Sequence, residues 1–256
     1  MPVEYGVIVI EFVIRQLSQS PSRDECEQMA RIVACYFPPG FDVKSMLIAH
    51  LDQESCIHVA RQEDQIIGFS VNSRSYQKTP FHNKPIPLVY QRLLYVDPAA
   101  QQRGIGLGLQ IAGLRYQLGP CWLFRRFVVI CLTSNPKVLR AIHQYNEYYP
   151  RIDDELPQRV YAFCQRLGPS MGFSRVDRRL LVYGTNETIL QGEDYTSRWN
   201  SFLLSGYAAF DQMILDRVFA KRDEKVFHTG ALLLALGYTR PMHFIRRFLQ
   251  TRFRRR

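Results

Sequence analysis

No stretch of this 256-residue sequence reaches the roughly eighteen apolar residues that a membrane-spanning helix requires. It also lacks any Cys-x-x-Cys pair and any Cys/His spacing suited to zinc, and no metal is expected. Its cysteines (Cys26, Cys35, Cys56, Cys121, Cys131 and Cys164) are scattered. Most sit among apolar neighbours, as Cys131 does in FVVICLT, and they read as buried free thiols of a reducing compartment. The N-terminal MPVEYGVIVIEFVIRQL has no basic leader, and Glu11 interrupts its apolar run, so it reads as a strand rather than a signal peptide. Acid is absent from the last sixteen residues, PMHFIRRFLQTRFRRR, which hold six arginines. Together these gaps point to a cytoplasmic protein that could touch a membrane only at its surface.

What is present is an ordinary globular composition, 46% hydrophobic and 22% charged, with length for one large domain or one domain plus a smaller addition. The formal net charge is +10, and six of those ten charges lie in the C-terminal segment. The body is only mildly basic, which makes nucleic acid an unfavoured partner.

Local patterning gives an α/β body. Val7–Ile14 is rich in β-branched residues and reads as a strand. Ser22 is an N-cap for a helix over Asp24–Cys35, which stops before Phe37-Pro38-Pro39-Gly40. Residues 55–62 and 65–76 resemble a hairpin turning near Glu63-Asp64. The polar, proline-bearing segment 73–87 reads as a loop, and 89–96 as a strand ended by Asp97-Pro98. From Gly106 the residues Leu107, Ile111, Leu114 and Leu118 mark one helical face. Phe127–Thr133 is an apolar strand, followed by Ser134-Asn135-Pro136 opening a helix over Lys137–Tyr148, and Arg178–Tyr183 is a late strand. Beyond residue 190, Trp199, Leu203, Tyr207, Phe210, Ile214 and Val218 suggest a long amphipathic helix, and the remainder also reads helical. The expected organisation is a domain over 1–190 and a helical extension over 191–256.

Three glycines in five positions, in LLYVDPAAQQRGIGLGLQ (residues 93–110), demand a local reason, since each costs a helix about 1 kcal/mol against alanine. A dinucleotide fingerprint fails: the spacing is G-x-G-x-G, a proline and further residues separate it from the strand, and no acid follows at the right distance. A Walker loop fails for want of Gly-Lys-Ser/Thr. What remains is a strand that ends, a short loop, and a glycine-rich helix start whose free N–H groups suit a pyrophosphate. Gly104 and Gly106 would admit the phosphates, and Gly108 and Ala112 would let the helix lie close to the sheet. A glycine-rich turn that merely packs is the competing reading.

Gln101-Gln102-Arg103-Gly104-Ile105-Gly106 resembles Gln/Arg-x-x-Gly-x-Gly/Ala, the coenzyme A motif of the GNAT superfamily of acyl-CoA N-acyltransferases. The strand ending in Val96-Asp97-Pro98 and the later Asn135-Pro136 helix start are similar to that family too. The resemblance covers about residues 5–185, most specifically 89–149. It implies a mixed, mostly antiparallel sheet with splayed central strands flanked by helices, and acetyl-CoA as co-substrate. It further implies that backbone groups of Leu94, Tyr95 and Val96 pair with the pantetheine arm. N–H groups of Gln102, Arg103, Gly104, Ile105, Gly106 and Leu107 would hold the pyrophosphate, and Asn135 would contact the coenzyme arm.

The implied reaction moves an acyl group, expected to be acetyl, to a primary amine of a small molecule, peptide or protein. Here the sequence departs from the family. Neither splayed strand offers a glutamate base, and the position seven after Asn135, where relatives carry a tyrosine acid, is Ile142. Tyr145, one turn on, is the substitute candidate; Tyr95 and His58 are candidate proton acceptors through water. These departures leave open a catalytically weak acyl-CoA-binding sensor or scaffold. In the C-terminal segment, Met242, Ile245, Phe248, Leu249 and Phe253 share a face opposite the arginines. A solvated charged face, an anionic membrane surface, an acidic partner and self-association through residues 241–256 are its candidate roles.

Overall fold

The computed structural model describes residues 12–17, 20–51, 55–152, 155–185, 191–198 and 205–243. The first strand, β1 (Val13–Gln16), overlaps the expected 7–14 strand at Val13 and Ile14 and runs two residues past it; residues 7–11 lie outside the described residues. Ser22 caps α1 (Arg23–Ala34) in a complete capping box: its hydroxyl accepts the Glu25 N–H, and the Glu25 carboxylate accepts the Ser22 N–H. Asp42 caps α2 (Val43–His50) by accepting the Ser45 N–H on its carboxylate. Strands β2 (Cys56–Gln62) and β3 (Gln65–Thr79) form the expected hairpin about Glu63-Asp64.

Between residues 73 and 87 the expected loop is corrected to sheet. β3 runs on to Thr79, the chain turns at Pro80-Phe81, and β4 (His82–Val96) returns beside it. Pro85 and Pro87, two residues apart, remove N–H groups from the same edge of β4. Among the described residues that edge meets no partner before Leu88, so no ladder bond is lost.

The helix α3 (Ile105–Leu118) follows. Its buried face carries Ile105, Leu109, Gly113, Leu114, Gln117 and Leu118, whereas Leu107 and Ile111, expected inside, are exposed. Apolar residues encircle this helix, so periodicity alone selects no face. Next come β5 (Phe127–Thr133), α4 (Pro136–Ile142) and β6 (Glu147–Tyr149). The helix expected over 137–148 stops six residues early, because Glu147–Tyr149 pair with a later strand. Beyond lie α5 (Gln158–Met171), β7 (Arg175–Val176), β8 (Leu181–Tyr183) and a short turn of helix, α6 (Thr196–Arg198).

The helical reading beyond residue 190 holds for α7 (Ala208–Val218), which buries Phe210, Ile214 and Val218. Tyr207 is its N-cap, and Trp199 and Leu203 lie outside the described residues. From residue 219 it is corrected: β9 (Phe219–Arg222) and β10 (Lys225–His228) form a hairpin, and β11 (Leu232–Thr239) enters the main sheet. Every residue of β11 is buried, the pattern of a strand covered on both faces. The sheet order is β1-β2-β3-β4-β5-β11-β8-β7, with β6 also on β11. The sheet therefore crosses the boundary expected at residue 190.

All the neighbours pair antiparallel except β4 and β5. Helices α1 and α2 cover one face of β2–β4, while α3 covers the other through Ile105 and Leu109. The largest core gathers around β5 and β11 with α4, α5 and α7. Cys56, Cys131 and Cys164 are buried free thiols; Cys35 and Cys121 are exposed.

Candidate functional site

The parallel pair β4/β5 touches over three positions only, Leu88–Tyr90 against Val128–Ile130. Beyond them Gln91–Val96 and Cys131–Thr133 have no ladder with each other, and a gap opens between the two strands. A register shift between Val71 and Asn72 leaves Arg92 as an extra residue on β4 and marks the divergence. Past it, Asp97 N–H bonds to Ile67 O on β3 at 2.9 Å. Alternation then turns the backbone groups of Tyr95 towards β3, and those of Leu94 and Val96 towards the gap.

The start of α3 lies at the end of this gap. Gly104 is its N-cap at φ +79°, in the left-handed region that glycine adopts without strain. Serine, aspartate and asparagine side chains cap α1, α2 and α4, but α3 has no side-chain cap. Gly108 N–H reaches Gly104 O at 3.0 Å; the N–H groups of Ile105, Gly106 and Leu107 precede the helical ladder and point out of its positive end. No heavy atom lies within 4 Å of a Cβ built on Gly104, so the backbone here is open to a ligand. Gly108 lies against Ile14 of β1, as its expected packing role requires. Gln102 and Arg103 are exposed beside this start, and Arg103 Nη1 donates to Gln62 Oε1 at 3.1 Å.

Asn135 stands just past β5 as the N-cap of α4, with Oδ1 accepting the Lys137 N–H at 2.9 Å. Thr133 Oγ1 accepts the Asn135 N–H at 2.9 Å and fixes the corner.

Two side chains that sequence reading missed, Tyr36 and Lys137, join the two sides of the gap through Gln101 of the motif. Tyr36, just after α1, donates its hydroxyl to Val96 O at 2.5 Å. Gln101 Nε2 donates to Tyr36 Oη at 2.6 Å, and Lys137 Nζ donates to Gln101 Oε1 at 3.1 Å. Burial pushes the Tyr36 hydroxyl up to about 12 and lowers the Lys137 ammonium, against which the Asp211 charge acts. No spacing rule connects positions 36, 96, 101 and 137, so only the fold reveals this chain of bonds.

Tyr145 is not on α4 as expected but in the turn after it. Its ring lies over Gly237 of β11, where a Cβ would fall 2.6 Å from the ring, and meets Phe127 edge-on at 6.4 Å. Gln110 Nε2 of α3 donates to its hydroxyl at 3.5 Å, and burial, helped by Cys131, pushes that hydroxyl up from its ordinary range. Cys131 belongs to the diverging part of β5, so the Tyr145 hydroxyl stands near the gap. Tyr95 packs its ring beside Tyr36 at 5.3 Å and Phe69 at 5.8 Å. His58 is not brought to the gap. It is buried under α3, beside Cys56 Sγ at 3.5 Å and edge-on to Tyr116, with β3 and β4 intervening. Burial lowers its pKa.

A mostly antiparallel sheet whose one parallel pair parts ahead of an uncapped, glycine-started helix decides the architecture. The fold is GNAT-like.

No protein-family profile matches the chain, and no curated protein matches it either. Solved structures similar to it include an aminoglycoside acetyltransferase from an uncultured soil metagenomic sample, in complex with trehalose. That one is 23% identical over 42% of this chain and 70% of its own, with a TM-score of 0.33. A GNAT-family acetyltransferase described as putative, from Desulfovibrio desulfuricans, is 15% identical over 65% and 87%, with a TM-score of 0.36. Aminoglycoside N-acetyltransferase AAC(6')-Iy in complex with CoA is 17% identical over 65% and 90%, also at 0.36. Among the described residues of this GNAT-like chain, no three His, Cys, Asp or Glu side chains cluster to hold a metal ion. None of its described helices is long and apolar enough to cross a membrane. Of the C-terminal segment, residues 244–256, and with them the expected amphipathic face, lie outside the described residues.

Proposed function

We propose that the chain is an acyl-CoA-dependent N-acyltransferase that moves an acyl group, acetyl by preference, to a primary amine of a small molecule, peptide or protein. The observation that carries this reading is the inner edge of β4 at Leu94 and Val96, which joins no strand ladder among the described residues and runs into the uncapped start of α3. An extended amide arm can add to such an edge as a strand does, and a pyrophosphate suits the N–H groups from Gln102 to Leu107. Asn135, just past β5 as the N-cap of α4, is assigned to the arm. The residues fit coenzyme A in type and arrangement, with one condition: the Tyr36 hydroxyl already holds the Val96 carbonyl.

In the reaction the neutral amine nitrogen bonds to the acyl carbon and gives up a proton to water, the C–S bond breaks, and the departing thiolate takes a proton, which we assign to Tyr145, itself reprotonated from solvent. A lysine-like amine is neutral roughly once in 2,500 molecules at pH 7. A general base offsets that by about 10²–10⁴-fold, whereas positioning contributes about 7–11 kcal/mol. An enzyme that holds the amine well in the gap therefore works without the glutamate that β4 and β5 lack.

The second reading is an acyl-CoA-binding sensor or scaffold. It is favoured by the closely packed Tyr145 ring and the weak 3.5 Å contact of its hydroxyl. Thiol release from acetyl-CoA across a panel of amines separates the two, since the sensor binds without turnover. The shared binding step is tested by Gly104→Val. Space is open at that position but φ is +79°, so valine adds bulk at the phosphate approach and local strain of about 1–3 kcal/mol. Calorimetry should show coenzyme A binding weakened at least tenfold in a variant that still unfolds cooperatively. Unchanged affinity would end the assignment of residues 102–107 as the phosphate cradle.

A further inference from the structure

The outer edge of β11 carries a second cavity. β6 and β8 pair end to end along that edge, Tyr149 opposite Leu236 and Leu181 opposite Leu233. The chain leaves the sheet at Pro150 and returns through a tight turn at Asp177–Leu180, where Leu180 N–H bonds to Asp177 O at 3.0 Å. The cavity, open to solvent on one side, has a volume of about 560 Å³, within the roughly 300–1,000 Å³ of small-molecule sites.

Four guanidinium groups line it: Arg151, Arg178, Arg179 and Arg217. Glu155 is the one carboxylate among its described lining residues. Nearby Asp177 is committed to the turn, its Oδ1 accepting the N–H groups of Arg179 at 2.8 Å and Leu181 at 2.9 Å. Arg178 is held by Gln158 Oε1 at 2.7 Å and lies over the Tyr161 ring at 5.1 Å. Arg217 Nη1 donates to Arg179 O at 3.1 Å. That bond draws the Arg217 cation towards Arg179, and burial together with the Arg179 charge lowers its pKa, against which the Asp177 and Asp216 charges act. Leu180 sits at φ +61°, a backbone state that leucine seldom adopts, in the turn that sets Arg178 and Arg179 side by side. Gathered cations repel one another, and a multiply charged anion that accepts paired N–H donors reverses that cost.

We propose that this cavity binds a small phosphate-bearing anion. β5 and β11 stand between it and the β4/β5 gap, so the site is separate from the one assigned to coenzyme A. Phosphate suits the site better than a single carboxylate because four arginine residues border one space, although Arg151 also lies over the Tyr148 and Tyr149 rings.

The test is calorimetry of the full chain with inorganic pyrophosphate at constant ionic strength. Its arms are wild type, the double variant Arg178→Gln/Arg179→Gln, and Gly104→Val. Both substituted arginines are exposed, so the double variant should retain its thermal midpoint within a few degrees. It should lose one pyrophosphate site, or bind it at least tenfold more weakly, while Gly104→Val keeps that site. Asp153 and Asp154, which follow Arg151 in sequence, lie outside the described residues. If wild type and the double variant behave alike, the proposal falls. It also falls if Gly104→Val removes all pyrophosphate binding, since the phosphate then sits at α3; loss of coenzyme A binding alone leaves it standing.

Discussion

Tyr145 is the residue on which the two functional readings divide. Its ring fills the space that Gly237 leaves bare, so a packing role is beyond question; its hydroxyl faces Gln110 and the diverging end of β5. Burial keeps that hydroxyl protonated, the form a proton donor needs. Tyr145→Phe retains the ring and removes only the proton. Turnover should fall by about 10²–10⁴ with coenzyme A affinity nearly unchanged. A fall of less than threefold would leave Tyr145 as a core residue only. Asn135 is a further lesson at this scale. The sequence placed it correctly after a strand, but its Oδ1 is occupied as the cap of α4, which leaves its amide group for any coenzyme contact.

Among the elements, the link from α1 across to α4 through Tyr36, Gln101 and Lys137 governs access to the gap. A pantetheine amide that pairs with Val96 must share or replace the Tyr36 bond. A neutral hydrogen bond has a net worth of about 0.5–1.5 kcal/mol, so Tyr36→Phe should tighten coenzyme A binding by roughly two- to tenfold, as read by calorimetry. Weaker binding would mean that the hydroxyl contacts the coenzyme instead of competing with it. The elements that framed this site were legible where local chemistry dictates them: the Ser22 capping box, the Glu63-Asp64 hairpin and the glycine-started helix all follow from adjacent residues. Those that were not legible depend on distant partners. LLLALGYT is a continuous apolar run that fits strand or helix equally, and only β5 on one side and β6 and β8 on the other make it β11. Pro80, Pro85 and Pro87 looked like loop residues because the sequence does not disclose that one edge of β4 lacks a neighbour there. Tyr145 was placed on a helix because nothing local announces that Glu147–Tyr149 will pair with β11.

For the molecule as a whole, stability should depend on acid through its buried imidazoles. His228 is 1% exposed, accepts the Gly230 N–H at Nδ1 (2.9 Å), and packs against Phe219 and Tyr195. Burial lowers its pKa from 6.5 to about 4. As pH falls through that window the unfolded chain takes up a proton that the folded chain refuses, so stability drops, by up to about 3 kcal/mol at 1.36 per pKa unit. His58, also lowered by burial, acts in the same direction. His228→Gln, compared with wild type by urea unfolding at pH 7 and pH 4.5, should lose less stability on acidification even if it is weaker at pH 7. Equal acid losses in the two proteins would show that His228 is not a source of the effect.

The position of β11 also sets the order in which the molecule is completed during synthesis. β5 ends at Thr133, and the strand that covers its second edge ends at Thr239. At about 5–20 residues per second, the ribosome needs roughly 5–20 s to supply the hundred or so residues between them. Throughout that interval the wall of the gap facing β4 is an apolar edge strand without its neighbour, open to pairing with other nascent chains. The gap acquires its final shape only when β11 arrives.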